Sequence, residues 1–134
     1  MPPGLLFVDG GLSELELRRS SLNAHGYSVL TANTLHSALQ VLQNEPVAVV
    51  LVEYKGDGMD GETVVLSVKQ QFPTMPVVLL SAYSDLPGWL LWLVDDYVMG
   101  GEPLEVLLGV VGRLAGASPA RNVAIEDKRR TAAA

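Results

Sequence analysis

Three polar side chains that could carry chemistry each come directly after a short apolar run. They are Asp9 after residues 5–8, Glu53 after residues 47–52, and Ser81 after residues 76–80. Such runs are typical of strands buried on both faces of a parallel sheet, and the carboxyl ends of parallel strands meet at one edge. A polar residue at one strand end can simply meet water, but three together favour a site. We therefore predict an acidic pocket with one hydroxyl at this edge.

The rest of the sequence supplies the elements that would position these side chains. The predicted strands cover residues 5–8, 27–32, 47–52, 76–80 and 97–99, and the predicted helices cover about residues 13–25, 34–44, 60–72, 88–94 and 103–114. Strands that alternate with helices predict an α/β fold with a parallel sheet. The expected fold class is flavodoxin-like: a doubly wound, five-stranded parallel sheet with five helices, in three layers (α/β/α).

The composition narrows the class of function. The chain has 134 residues, of which 49% are hydrophobic and 18% charged, with a net charge of −6 and no cysteine. The acidic balance argues against a nucleic-acid binder. No apolar run reaches the ~18 residues that a membrane span needs, so we expect a cytoplasmic protein that does not bind a membrane. We expect residues 1–116 to form one domain and residues 117–134 to form a flexible C-terminal tail.

Four short motifs fall at the ends of the predicted strands and helices. They are Leu6-Phe7-Val8-Asp9, Gly58-Met59-Asp60-Gly61, the residues 76–82, and Asp95-Asp96-Tyr97-Val98. Together they resemble the receiver domain of two-component response regulators, the chemotaxis-regulator-like fold, over roughly residues 5–115. The resemblance implies a phosphorelay, in which a sensor histidine kinase phosphorylates an aspartate after the third strand. It also implies that paired acids hold Mg²⁺, that a hydroxyl and a lysine bind the phosphoryl group, and that an aromatic residue reports the state to an effector.

The match to the implied site is partial. Asp9 takes the place of the first metal-binding acid, and Gly10 stands where the second acid is expected. Glu53 stands in the phosphoacceptor position. Ser81 matches the hydroxyl of the switch, and Tyr97 matches the aromatic of the switch.

The lysine implied by the resemblance is absent from its position. Gly100 occupies that position, or Glu102 does when the alignment is anchored on the following proline, and Lys55 sits where a backbone carbonyl would bind Mg²⁺. Magnesium prefers octahedral oxygen ligands, and phosphoryl transfer depends on positioning and charge neutralisation. We therefore expect a degenerate receiver, or pseudo-receiver, which is not an enzyme, binds Mg²⁺ at most weakly through Asp9 and Glu53, and signals by protein–protein interaction.

Two alternatives to the pseudo-receiver remain open. The first is a receiver that keeps some function at this site: Asp9, Glu53 and Ser81 could form a weak phosphoacceptor site, or the longer Glu53 side chain could act as a permanent charge that keeps the receiver "on". The second is a flavodoxin-like protein that binds a small ligand at the same edge.

The helix before the fifth strand has a composition that indicates a protein interface. Trp89 and Trp92 lie three residues apart and share one face, in a helix too apolar to bury every side chain. We predict a protein interface here, made by Trp89, Trp92, Leu93, Val106 and Val110. The resemblance implies that the fourth helix, fifth strand and fifth helix would bind a sensor kinase, a downstream effector or a second copy in a homodimer.

Overall fold

The computed structural model describes residues 4–8, 19–54, 61–81, 86–99 and 102–116. Its five strands are β1 (Gly4–Val8), β2 (Ser28–Ala32), β3 (Val49–Tyr54), β4 (Val77–Ser81) and β5 (Asp96–Met99). They form one sheet in the order β2-β1-β3-β4-β5, and every neighbouring pair is parallel. The chain passes outward from β1 to β2 and then returns to β3 on the other side of β1. In such sheets the crevice beside this switch point is where ligands usually bind.

Helices cover both faces of the sheet. Helix α1 is described over residues 19–24, and it is followed by α2 (Leu35–Asn44), α3 (Gly61–Gln71), α4 (Gly88–Leu93) and α5 (Leu104–Ala115). Side chains of α2, α3 and α4 pack in one hydrophobic cluster, and side chains of α1 and α5 pack in another. The predicted three-layer flavodoxin-like fold is therefore confirmed. No helix within the described ranges is long and apolar enough to cross a membrane.

Burial on both faces of the sheet explains why the apolar runs of the strands are continuous. Alternate residues of β3 belong to opposite clusters, because Val50 and Val52 pack on one face and Val49 and Leu51 on the other. A strand covered on both faces therefore needs an apolar residue at every position. Two helix ends have residues suited to capping. Thr34 forms a capping box with Ser37 at the start of α2, and Gly26 has a φ of 92° at the end of α1.

The central strand differs from the prediction at both ends. Residues 47–52 were expected, whereas β3 begins at Val49 and continues through Glu53 to Tyr54. The two additional residues stay in the strand because Glu53 pairs with Leu80 and Tyr54 with Ser81 on β4. Backbone pairing therefore continues past the first polar side chain, which the apolar pattern alone did not indicate.

Asp95, directly before β5, holds the amino edge of the sheet together. Its Oδ2 accepts hydrogen bonds from Lys69 Nζ at 2.6 Å and from the Val77 N–H at 2.7 Å. Its own N–H donates to Val77 O at 2.8 Å, and Lys69 Nζ also donates to Met75 O at 2.8 Å. One carboxylate thus joins α3 and the start of β4 to the short segment between α4 and β5.

The neighbouring Asp96 makes a more exposed ion pair, which serves as a comparison. Its Oδ2 contacts the guanidinium of Arg113 on α5, and its Oδ1 accepts from the Tyr97 N–H. Both partners of this pair are more exposed than Lys69 and Asp95.

These contacts predict different costs for two adjacent substitutions. Asp95→Ala leaves the Val77 N–H and the Lys69 ammonium without this acceptor, so we expect the free energy of unfolding to fall by roughly 2–3 kcal/mol. Asp96→Ala removes an exposed pair and should cost less than about 1 kcal/mol. Urea denaturation of both variants measures the difference. Equal losses would contradict the role assigned to Asp95.

Candidate functional site

Glu53 lies next to last in the central strand, near the carboxyl edge of the sheet. Val52, the residue before it, pairs with Val8 at the end of β1, and Glu53 itself pairs with Leu80 on β4. The Glu53 side chain is partly buried, and its Oε2 atom is fully buried. The sheet therefore places Glu53 near the carboxyl end of β3, which lies between β1 and β4 and beside the switch point of the fold.

Ser81 lies on the neighbouring strand, one residue further along. It is the last residue of β4, is 2% exposed, and pairs with Tyr54 on one side and Met99 on the other. The structure thus places Glu53 and Ser81 near the carboxyl ends of adjacent strands. Asp9, Gly10, Lys55 and Gly100 lie outside the described residues.

Tyr97 occupies the outer strand of the sheet. It pairs with Leu79 of β4, two positions before the pair of Ser81 and Met99. Its side chain is 46% exposed, so it is not enclosed beneath the end of β4. At the end of β5, the Met99 N–H donates to Glu102 Oε1 at 3.2 Å, and the Glu102 N–H donates to Met99 O at 3.1 Å. The carboxylate of Glu102 therefore binds the backbone of the strand it follows.

Sequence reasoning missed the contact that joins the two ends of the segment after Glu53. The Tyr54 hydroxyl donates to Glu62 Oε1 at 3.1 Å, which connects the last residue of β3 to the first turn of α3. Gly61 lies against the same tyrosine, because a Cβ there would be 3.2 Å from Tyr54 Cδ2 and 3.6 Å from Glu53 O. A glycine at the start of a predicted helix was the available signal for this close approach.

The described residues offer a limited set of ligands for a metal ion. Among them, no group of three or more His, Asp or Glu side chains is arranged to hold one. Among the described residues, Glu53 supplies the carboxylate near the carboxyl end of β3. Magnesium usually needs one or two carboxylates within an octahedral oxygen shell, so the described donor set does not by itself fit Mg²⁺.

Comparison with known proteins agrees with this architecture. Residues 5–90 match the response regulator receiver domain family. Transcriptional regulatory protein GlrR of Escherichia coli (strain K12) is 36% identical over 86 residues, which cover 64% of this chain and 19% of GlrR. The chain therefore spans about a fifth of the length of the first curated relatives it matches.

Two solved structures are similar over most of the chain. Response regulator TrrA of Thermotoga maritima, in complex with Mg²⁺–BeF, has a TM-score of 0.76 at 25% identity, over 84% of this chain and 98% of TrrA. The complex of histidine kinase ThkA with TrrA gives a TM-score of 0.75 at 25% identity, over 84% of this chain and 97% of the matched chain.

The sheet order and the position of the acid and the hydroxyl define a doubly wound α/β domain with its site at the carboxyl edge. Within that class, the chain belongs to the response regulator receiver domain family. The family expected from the four motifs is therefore confirmed, and with it the connection to two-component signalling.

Because the Tyr54 hydroxyl donates to Glu62, removing this hydroxyl should have a measurable effect on stability. Tyr54→Phe should lower the free energy of unfolding by about 0.5–1.5 kcal/mol and increase amide hydrogen exchange in the first turn of α3. Tyr27→Phe is the matched control, because the Tyr27 hydroxyl makes no hydrogen bond to the residues that the structure describes. Similar small effects for both variants would show that the contact does not stabilise the start of α3.

Proposed function

We propose that this chain is a pseudo-receiver: a signalling module of a two-component phosphorelay that acts by protein–protein contact without efficient phosphorylation. The observation that carries the proposal is the glutamate at the acceptor position. Glu53 lies at the carboxyl end of β3, beside the strand that ends in Ser81, on a sheet that otherwise matches the family. The family scaffold is present around a side chain that differs from the expected acceptor.

The length of Glu53 is the first physical reason. Glutamate is one methylene longer than aspartate, so its carboxylate cannot occupy the same point relative to the backbone of β3. Phosphoryl transfer depends almost entirely on positioning and on charge neutralisation. A displacement of about 1 Å can cost roughly a hundredfold in rate.

The second reason is the loss of groups that would bring positive charge to the acceptor, either as a lysine or by binding Mg²⁺. Gly10 replaces the second metal-binding acid, and Gly100 or Glu102 replaces the lysine. In the structure the Glu102 carboxylate accepts a hydrogen bond from the Met99 N–H, so it adds an acid near the end of β5. Asp9 and Glu53 would be the carboxylates available to Mg²⁺, and we propose that they bind it weakly. We also propose that the chain is not an enzyme.

Tyr97 supports the same proposal against the constitutively "on" alternative. In that alternative Ser81 hydrogen-bonds Glu53 and Tyr97 is held in one rotamer. A Tyr97 side chain that is 46% exposed on an outer strand has few neighbours to hold it in one rotamer. We therefore favour a receiver that works through its surfaces, with a sensor kinase or a downstream effector as its partner in the cytoplasm. The ThkA–TrrA complex, in which a kinase is bound to a similar domain, supports this type of partner.

An intact-mass measurement tests the proposal. We expect wild-type protein incubated with Mg²⁺ and acetyl phosphate to gain no phosphoryl group. A variant that restores the three expected residues together, Gly10→Asp with Glu53→Asp and Gly100→Lys, should gain one, because it supplies the ligand, the acceptor geometry and the cation. Glu53→Asp alone should gain little or none.

The control variant is Glu53→Gln, which cannot form an acyl phosphate at this position. A phosphoryl adduct on wild-type protein that disappears in Glu53→Gln would overturn the proposal in favour of a residual phosphoacceptor. A circular dichroism spectrum and a melting curve of each variant show whether any negative result comes from unfolding.

A further inference from the structure

One edge of the molecule exposes most of its large apolar side chains. Five large hydrophobic side chains are exposed among the described residues, and four of them lie on α4, β5 and α5: Trp89 (46%), Trp92 (69%), Tyr97 (46%) and Val106 (37%). Single exposed apolar residues are ordinary on protein surfaces, whereas a contiguous group marks an interaction site. We call these four side chains the β5-edge patch.

The fold places these elements beside one another. β5 is the outer strand on this side of the sheet. Helix α4 packs on one face of the sheet through Leu90, and helix α5 packs on the other face through Leu107 and Val111. The edge of β5, with Tyr97, therefore lies between the two helices.

The contact between Arg113 and Asp96 fixes which side of α5 faces this edge. Arg113 reaches from α5 to the first residue of β5. Val106 and Val110 precede Arg113 by seven and three residues, so all three share one side of the helix. Apolar side chains of α5 thus extend the patch on the side of the helix that faces β5.

The charged side chains of residues 86–116 are mostly acidic. Residues 86–116 contain four acids and a single cation, Arg113. Asp95 is paired with Lys69, and Asp96 is paired with Arg113, so the one cation is already engaged within the molecule. Glu102 and Glu105 are exposed at the start of α5, beside Val106. The β5-edge patch therefore has an acidic border at its α5 end.

This charge pattern disfavours a second copy as the partner. In a two-fold dimer the same patch lies on both sides, so each acid would meet either another acid or an apolar side chain, and no unengaged cation of the patch would be available to it. Like charges opposed across an interface are unfavourable, and the single cation on these elements is engaged with Asp96. A partner that supplies Lys or Arg side chains beside an apolar stripe has the complementary pattern.

We infer that the β5-edge patch binds a basic amphipathic segment of another protein, and not a second copy of this chain. The inference rests on the proposed function, in which the chain acts by protein–protein contact. It specifies the chemistry of the partner: apolar side chains for the two tryptophans and Tyr97, and cations for Glu102 and Glu105.

The two tryptophans of the patch give a direct test, because they are the only two in the chain. The probe is a tryptophan-free amphipathic peptide with a leucine stripe and lysines at its polar positions. Titration into the full-length chain should shift the tryptophan emission to shorter wavelength and saturate, and added salt should weaken the binding. A peptide with the same leucine stripe and glutamates in place of the lysines should produce no shift.

A pair of charge-reversal variants localises the binding. Glu105→Lys should weaken binding of the lysine peptide about three- to tenfold, because it reverses a charge beside the patch. Glu45→Lys makes the same change of net charge at the exposed end of α2 and should weaken binding less than twofold by screened long-range interaction.

Three results would overturn the inference. The glutamate peptide could bind as well as the lysine peptide, or Glu45→Lys could weaken binding as much as Glu105→Lys. The emission could also shift with protein concentration alone while sedimentation shows a dimer, which would identify a second copy as the partner. None of these results depends on phosphorylation, so the intact-mass experiment and this titration can fail independently.

Discussion

The structure depends on the two-sided enclosure of β3. This strand pairs with β1 on one side and β4 on the other, and its residues Val49–Val52 are buried against helices on both faces. A strand held in this way has one register, because a slip by one residue would exchange the side chains between the two hydrophobic clusters. The position of Glu53 at the carboxyl edge follows from that register. The core therefore sets the position of the Glu53 backbone in the sheet.

The same constraint explains how a scaffold can persist while its chemistry changes. The apolar residues that set the register are independent of the identity of the side chain at position 53, since they pack against the helices. Replacing an acceptor aspartate by glutamate, or a ligand by glycine, leaves those contacts in place. In the proposed function, the elements that fix the site are kept by the need for a core. The groups that would transfer a phosphoryl group are under no such requirement.

Much of the fold could be predicted because its signals are local. Alternate burial on two faces makes β3 and β4 continuous apolar runs, and Thr34 and Gly26 mark helix ends through their own backbone geometry. The sequence did not indicate that β3 continues to Tyr54, because that extension depends on pairing with β4. Nor could it show that Lys69 would meet Asp95, 26 residues away. Contacts of this kind arise from the packing of whole elements and leave no periodic pattern in the chain.

Asp95 connects these long-range contacts to the surface that the chain exposes. Helix α4 has six residues, no side-chain cap and one buried leucine, so its own propensity and packing contribute little to its position. Asp95 is the second residue after it, and Asp95 is held to Val77 by both its backbone and its carboxylate, and to Lys69 by an ion pair. These bonds lie at the amino edge of the sheet, opposite the end that carries Glu53 and Ser81. The position of α4, which carries Trp89 and Trp92, is thus supported from the end of the sheet opposite Glu53. None of these supporting bonds involves Glu53 or Ser81, as the proposed function, contact without phosphorylation, requires.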